Sequence, residues 1–357
     1  MNKFLQKIKR HGSSLSFIAG FAWDNIMLSR IDHLLANVLL GLYLLLSAMS
    51  IIGLNAPVGE NFRGRITERY SKWLPFILQF CFGSLFSAYL VLYTRSASLS
   101  SDWPFLLFLG FLVISNELFR KRYFSITLPS SIFFVVLFSY SIFSMPILFG
   151  NISDKIFVFS GLLSFGVFVL FSFVLFKVAP EKFKTSGLRL YATVTGLFIL
   201  FNLAYFSGFI PPIPISIKEI GVFHLVERNT DGNYTLSFEP SKWHYIFSGT
   251  SKIYNRLPDE PVYLWSSIFA PTKFNLPIFH RWQHFDESSL SWKTTDLLQF
   301  TVVGGRDEGF RGYTVKAKVY PAKWRVDVET LRGDLVGRFD FEIIDNPLRN
   351  HLLVERR

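Results

Sequence analysis

Along the chain, the arrangement of hydrophobic and polar positions changes character once, near residue 217. Before that point apolar residues come in long uncharged runs. After it they alternate with polar residues and are interrupted by turn formers. Six runs reach, or nearly reach, the ~20 residues needed to cross a bilayer as a helix. They are Leu34–Gly59, Leu74–Thr94 (led by Trp73), Trp103–Leu118 (the shortest, with Glu117 near its end), Tyr123–Ser153, Ile156–Phe176 and Leu190–Ile217. The last is stopped by Pro211, Pro212 and Pro214. An earlier segment, Ser14–Ser29, is apolar but interrupted by Asp24 and Asn25. Crossing the membrane, re-entering it and lying in its interface all remain open for that segment. Lys3, Lys7, Lys9 and Arg10 precede it as in a signal peptide, but no small-x-small cleavage site follows, which argues against removal. The expectation for residues 1–217 is an α-helical transmembrane bundle of six or seven spans.

Beyond residue 217 the period is two. Strands are expected at Glu219–Glu227, Tyr234–Phe238, Val262–Ala270, Ile278–Phe285, Leu297–Val303, Gly312–Val319, Lys323–Thr330 and Leu335–Ile343. Turns are expected at Thr230–Asn233, Gly304–Asp307, Tyr320-Pro321 and Arg332–Asp334. The piece Lys242–Leu257 is weakly periodic and reads as a loop or a short helix. Short strands with no helix between the later ones predict an all-β, immunoglobulin-like antiparallel sandwich over residues 218–357, soluble and separate from the bundle.

Charge adds orientation. The net charge is +11, and residues 1–217 hold 18 Lys and Arg against 8 Asp and Glu, whereas residues 218–357 hold 19 against 18. An excess confined to the apolar half speaks for membrane topology and against nucleic acid. The connections after the first, third and fifth runs carry Arg63, Arg65, Arg69 and Lys72; Arg120, Lys121 and Arg122; and Lys177, Lys182, Lys184 and Arg189. Those after the second and fourth carry only Arg95 and Lys155. Because cationic connections stay in the cytoplasm, the sixth run exits outward. The expected location is the bacterial inner membrane, multi-pass, with the C-terminal domain in the periplasm. The single cysteine, Cys81, excludes an intrachain disulfide and a thiolate metal cage.

Two stretches carry a family resemblance. One is AGFAWDNIMLSRIDHL, Ala19 to Leu34; the other runs from His280-Arg281-Trp282 through GGRDEGFRGYTVKAKVYPAKWRVDVET to Gly333–Ile343. Together they resemble an uncharacterised bacterial family of multi-span membrane proteins with a C-terminal domain of unknown function, DUF2914. The resemblance implies the same two-part architecture. It implies no activity, substrate or catalytic residue.

Candidate chemistry is sparse. Asp24 and Asp32 flank Arg30; they form an intramembrane proton or ion site, or are wet charges at the interface. His280, Trp282 and His284 alternate on one strand, but two imidazoles ~13 Å apart cannot share one metal. Arg306, Arg311, Tyr313, Trp324 and Arg325 gather around two turns, with Tyr320 nearby, and are the candidate ligand-binding set: cations for anionic headgroups, rings for sugars. The competing reading puts Trp324 in the core and the charges on a wet face. No phosphate loop, G-x-S-x-G elbow or H-E-x-x-H is present, and no cofactor or metal is implied.

The leading functional reading is an inner-membrane protein that binds or senses an envelope component, whether glycan, lipid headgroup or protein, through its periplasmic sandwich. The alternative is a transporter or membrane-embedded enzyme acting on a lipid-linked or small substrate, with Asp24, Arg30, Gln79, Glu117 and Asn202 as its polar residues. A purely structural partner has no distinguishing signature. A reporter active only in the periplasm, fused after Arg357, should give signal, and a cytosol-only reporter at the same point should stay silent. The reverse pattern overturns the charge count.

Overall fold

A computed structural model describes residues 34–57, 73–96, 107, 125–210, 214–240, 250–271, 274–304, 309–346 and 352–357. Ser14–Ser29 with Asp24, Arg30 and Asp32, nearly all of Trp103–Leu118, and Arg306 lie outside the described residues. The described helices, but for Arg95 and Ser96, belong to one compact unit, which ends at Pro214, and the strands to a second, which runs on from Ile215.

The first unit contains α1 (Leu34–Asn55), α2 (Leu74–Ser96), α3 (Thr127–Phe149), α4 (Asp154–Val178) and α5 (Pro180–Phe206). All five are long and apolar enough to cross a membrane. At 1.5 Å rise per residue, the 22 residues of α1 already span about 33 Å. α3 sits at the centre of the packing. Its Phe138 stacks against Phe198 of α5 and lies against Phe157 of α4. Gly161 lets α4 approach, because a Cβ there would meet Phe138 Cζ at 2.9 Å. Ser164 Oγ of α4 donates to Ser141 Oγ of α3 at 2.8 Å, and Tyr89 Oη of α2 donates to the Val136 carbonyl at 2.8 Å. The outward faces are apolar as well: Leu162, Leu170 and Phe173 of α4 are exposed.

α5 differs from expectation. It begins at Pro180, ten residues before Leu190, so the cationic connection is itself helical. Proline suits the first helical turn, and Glu, Lys and Arg propagate a helix well. Lys182 Nζ donates to Asn55 Oδ1 at 3.5 Å, which brings the start of α5 to the end of α1. At the opposite end Tyr205 Oη donates to Asp154 Oδ1 at 3.1 Å, and the Tyr205 ring stacks on Phe157.

The second unit is all-β. Its strands are β1 (Ser216–Phe223), β2 (Leu225–Arg228), β3 (Tyr234–Phe238), β4 (Ile253–Arg256), β5 (Val262–Phe269), β6 (Asn275–Asp286), β7 (Ser291–Val303), β8 (Phe310–Lys316), β9 (Ala322–Thr330), β10 (Leu335–Asp345) and β11 (Leu353–Arg356). They form three sheets, ordered β1-β5-β8, β4-β10-β9-β6-β7 and β11-β3-β2. Every pairing is antiparallel except β4 with β10. The first two sheets face each other across one core, in which Val222, Val262 and Leu264 meet Trp282, Trp324, Val326 and Phe341. A second core of Phe223, Val226, Tyr234, Leu236, Phe238 and Trp265 joins the third sheet to the first.

Three boundaries depart from the sequence reading. The strand expected at Glu219–Glu227 is two strands that separate at His224, whose side chain turns inward. Ile253–Arg256, expected in a loop or short helix, is the parallel partner of β10. Leu353–Arg356, outside the expected strands, pairs antiparallel with β3. Both missed strands have four residues, too few to show a period.

Gly304 follows β7 where two backbone segments nearly touch. A Cβ there would lie 1.8 Å from the Pro271 carbonyl oxygen and 2.9 Å from that of Ala270, both backbone atoms that cannot rotate away. Gly304→Ala should therefore lower stability by about 1–3 kcal/mol, read as a reduced melting temperature of the purified full-length protein.

Candidate functional site

The alternation of β6 determines where its polar residues go. His280, Trp282 and His284 do share the face turned to the β1-β5-β8 sheet, but they end in different surroundings. His280 is fully buried. Its Nε2 is bonded to Ser266 Oγ of β5 at 3.0 Å and its Nδ1 to Thr314 Oγ1 of β8 at 2.9 Å. Trp282 Nε1 donates to the same Thr314 oxygen at 3.1 Å. A serine on one imidazole nitrogen and a hydroxyl on the other has the geometry of a nucleophile and base. Ser266 and His280 are, however, fully buried among the described residues. The network pins the two sheets together. Burial pushes the His280 imidazole down to about 3.

His284 lies farther along the strand at the edge of a cavity of about 320 Å³. His284, Phe285, Asp286 and Glu287 line it from β6 and its turn, and Tyr320, Pro321, Ala322 and Lys323 from the β8–β9 turn and the start of β9. Its back wall is aromatic. The Tyr320 ring centroid is 5.3 Å from those of His284 and of Trp324, and Trp324 is 5.5 Å from His284. Trp324 Nε1 donates to the Tyr320 carbonyl at 3.0 Å, which holds the turn to the strand. Asp286 pairs with Lys293 and accepts from Ser288 Oγ at 2.7 Å and Ser289 Oγ at 3.0 Å. Chiefly the Lys293 ammonium, with those serines, holds its carboxyl far below the usual carboxylate range. His284 Nδ1 is buried and meets no hydrogen-bond partner among the described residues.

The structure does not gather the candidate ligand set of Arg311, Tyr313, Trp324 and Arg325 into one place. Trp324 is in the core, only 1 % exposed, and touches the cavity through Tyr320 and His284. Arg325 points to the other face of β9, where its guanidinium lies 4.4 Å from the centre of the Trp292 ring and donates to Gln283. That face continues as a ladder of ion pairs, with Arg281 Nη2 on Glu329 at 2.8 Å and Arg338 Nη2 on Asp327 at 2.8 Å. Arg311 and Tyr313 lie together on β8 in the other sheet. Arg311 Nη1 donates to Asn233 Oδ1 at 3.4 Å, and the Tyr313 ring is 6.2 Å from those of Tyr234 and Tyr263. Lys316, at the end of β8, is turned inward onto Asp296 and over Trp324.

One cluster has no counterpart in the sequence reading. His224, at the break between β1 and β2, has Nδ1 3.0 Å from Glu260 Oε1 and Nε2 3.4 Å from Glu239 Oε1. Its ring stacks on Tyr254 at 4.1 Å. Glu239 also accepts from Asn255 Nδ2 at 2.8 Å, and Glu260 from the Leu257 amide at 2.9 Å. The three residues are 15 to 36 positions apart and carry no mutual spacing signal. The only local sign is a histidine interrupting an alternating run.

These features define a class: a unit of helices long and apolar enough to cross a membrane, followed by an all-β unit with a cavity of mixed aromatic and ionic lining. Residues 276–343 match the model of a family described as a protein of unknown function, DUF2914, and every residue lining the cavity falls within that segment. No curated protein matches the chain. A solved structure of the Pseudomonas fluorescens alkylpurine DNA glycosylase AlkC, bound to DNA containing an abasic site analog, is similar over 80% of this chain and 83% of its own at 13% identity. Its TM-score of 0.23 is too low to carry an argument about fold or function.

The buried His280 makes a pH prediction. Folded, the ring stays neutral down to about pH 3; unfolded, it takes up a proton near 6.5. In that window the unfolded chain binds more protons, so stability falls as pH drops from about 6.5 toward 3 and is independent of His280 above it. The slope from this one group reaches at most about 1.4 kcal/mol per pH unit. Melting temperatures measured between pH 4 and 7.5 should show the decline, and His280→Gln should flatten it.

Proposed function

We propose that this chain is an integral inner-membrane protein whose helices anchor the β unit on the periplasmic side, where the β unit binds or senses an envelope component. The observation that carries this reading is the cavity at the end of β6. It is concave, walled by rings, rimmed by charges of both signs, and set between the end of β6 with its turn and the β8–β9 turn with the start of β9.

The placement rests on charge and packing together. The Lys182–Asn55 contact brings the end of α1 to the cation-rich start of α5, and the sequence that follows α1 holds Arg63, Arg65, Arg69 and Lys72. The Asp154–Tyr205 contact marks the opposite end, from which the chain leaves α5, and the two connections expected on that side hold only Arg95 and Lys155 in sequence. With the cation-rich end in the cytoplasm, the chain leaves outward. Trp103–Leu118 would add a sixth span to the five described helices and Ser14–Ser29 a seventh. In this proposal the two facing sheets are the immunoglobulin-like sandwich, to which β2, β3 and β11 add a third layer.

Of the residues the transporter alternative names, Gln79 and Asn202 are described. Among the described helices the deeply buried polar side chains are serines with Gln79 and Asn55, and the Asn55 amide donates to the Ile51 carbonyl of its own helix. Asn202 likewise donates to Phe198. Converging ionisable groups of the kind that mark a transport path are not among these residues.

The purified full-length protein in detergent should sediment with envelope fragments freed of inner membrane. Complete recovery in the supernatant, with its melting transition intact, would overturn the binding role.

A further inference from the structure

We propose that the cavity between the β6–β7 hairpin and the β8–β9 turn is a carbohydrate site, taking one neutral sugar ring of an envelope glycan against the face of Tyr320. The proposal rests on reading the β unit as the envelope-binding module and names the ligand class of its cavity.

Three observations lead to it. The first is the wall. Tyr320 is 45 % exposed, yet its ring is braced edge-on by Trp324 and His284 at 63° and 69°. An aromatic face held in this way offers a flat apolar surface at little conformational cost, with a phenol hydroxyl at its edge. A pyranose presents the complementary surface: an apolar C–H face ringed by hydroxyls.

The second is charge. The carboxylates of Asp286 and Glu287 are balanced by the ammonium groups of Lys323 and of Lys293, which pairs with Asp286. A rim without net charge selects ligands by hydrogen bonding and not by Coulomb attraction. This disfavours phosphates and other anions, for which convergent arginines would be expected. The arginines of this region are engaged elsewhere: Arg325 with Trp292 and Gln283, and Arg281 with Glu329.

The third is size and stiffness. About 320 Å³ is at the small end of ligand pockets, room for one ring rather than for an extended chain. The hairpin is fixed by the bonds of Asp286 to Lys293, Ser288 and Ser289, and the opposite turn by Trp324 Nε1 on the Tyr320 carbonyl. The site therefore needs little ordering when it binds. Glu287 and Lys323 stand exposed at the rims to reach ring hydroxyls.

The test is titration of the full-length protein in detergent with maltotetraose, an N-acetylglucosamine tetramer, glucose and glucose 6-phosphate, followed by tryptophan fluorescence and calorimetry. At least one of the two tetrasaccharides should bind in the millimolar range or tighter. Tyr320→Ala should weaken it at least about tenfold, Tyr320→Phe should stay within about threefold, and Glu287→Gln should weaken it measurably with an unchanged melting temperature. Glucose 6-phosphate should bind no better than glucose. Failure of both tetrasaccharides to bind, binding that survives Tyr320→Ala, or binding that requires the phosphate would overturn the carbohydrate site. If the wild type still sediments with envelope fragments while any of these holds, the envelope-binding role stands and only the sugar assignment fails. If it neither sediments nor binds sugar, both fail.

Discussion

Every backbone N–H and C=O must find a partner, and the two halves of this chain meet that demand in opposite ways. In the helices each segment satisfies itself, so α1 to α5 can be apolar on both their inner and outer faces without leaving a polar group exposed to a nonpolar medium. In the β unit no strand satisfies itself. Each depends on neighbours that are often distant in sequence, and the cores among the sheets follow from that dependence. The cavity is one product: it opens where the hairpin at the end of β6 and the turn before β9 leave the pairing of the central sheet.

Much of this was legible. Uncharged length alone locates four of the five described helices closely, and period-two alternation finds eight of the eleven described strands, counting β1 for the run that splits at His224. What escaped had physical causes. The start of α5 was hidden because charged residues with good helix propensity look like a loop when only hydropathy is considered. β4 and β11 are too short to show alternation, and β4 gains its place through a parallel partner that no local pattern reveals. The His224 cluster is assembled from three separate segments.

The candidate ligand residues show the same limit more sharply. Trp324 and Arg325 are adjacent in sequence and therefore point to opposite faces of β9, one into the core and one onto Trp292. Sequence proximity suggested a patch, and strand geometry divided it. His280 and His284 share a face, as their spacing requires, yet one lies in a buried network and the other at a cavity edge. Alternation gives the side of a sheet; it does not say where along the strand the facing sheet ends.

The strand order also bears on how the β unit comes into being. β6 and β7 are joined by four residues and can zip together as soon as both exist. β4 must wait for β10, and Arg256 Nε reaches Asp345 Oδ1 across 89 positions of chain. Loop closure over that distance precedes any reward from the contacts it makes. The hairpin is thus the natural nucleus, and the parallel edge strand a late arrival. During synthesis β4 stands unpaired until β10 has been made, leaving a window in which the unit is vulnerable to pairing with the wrong strand.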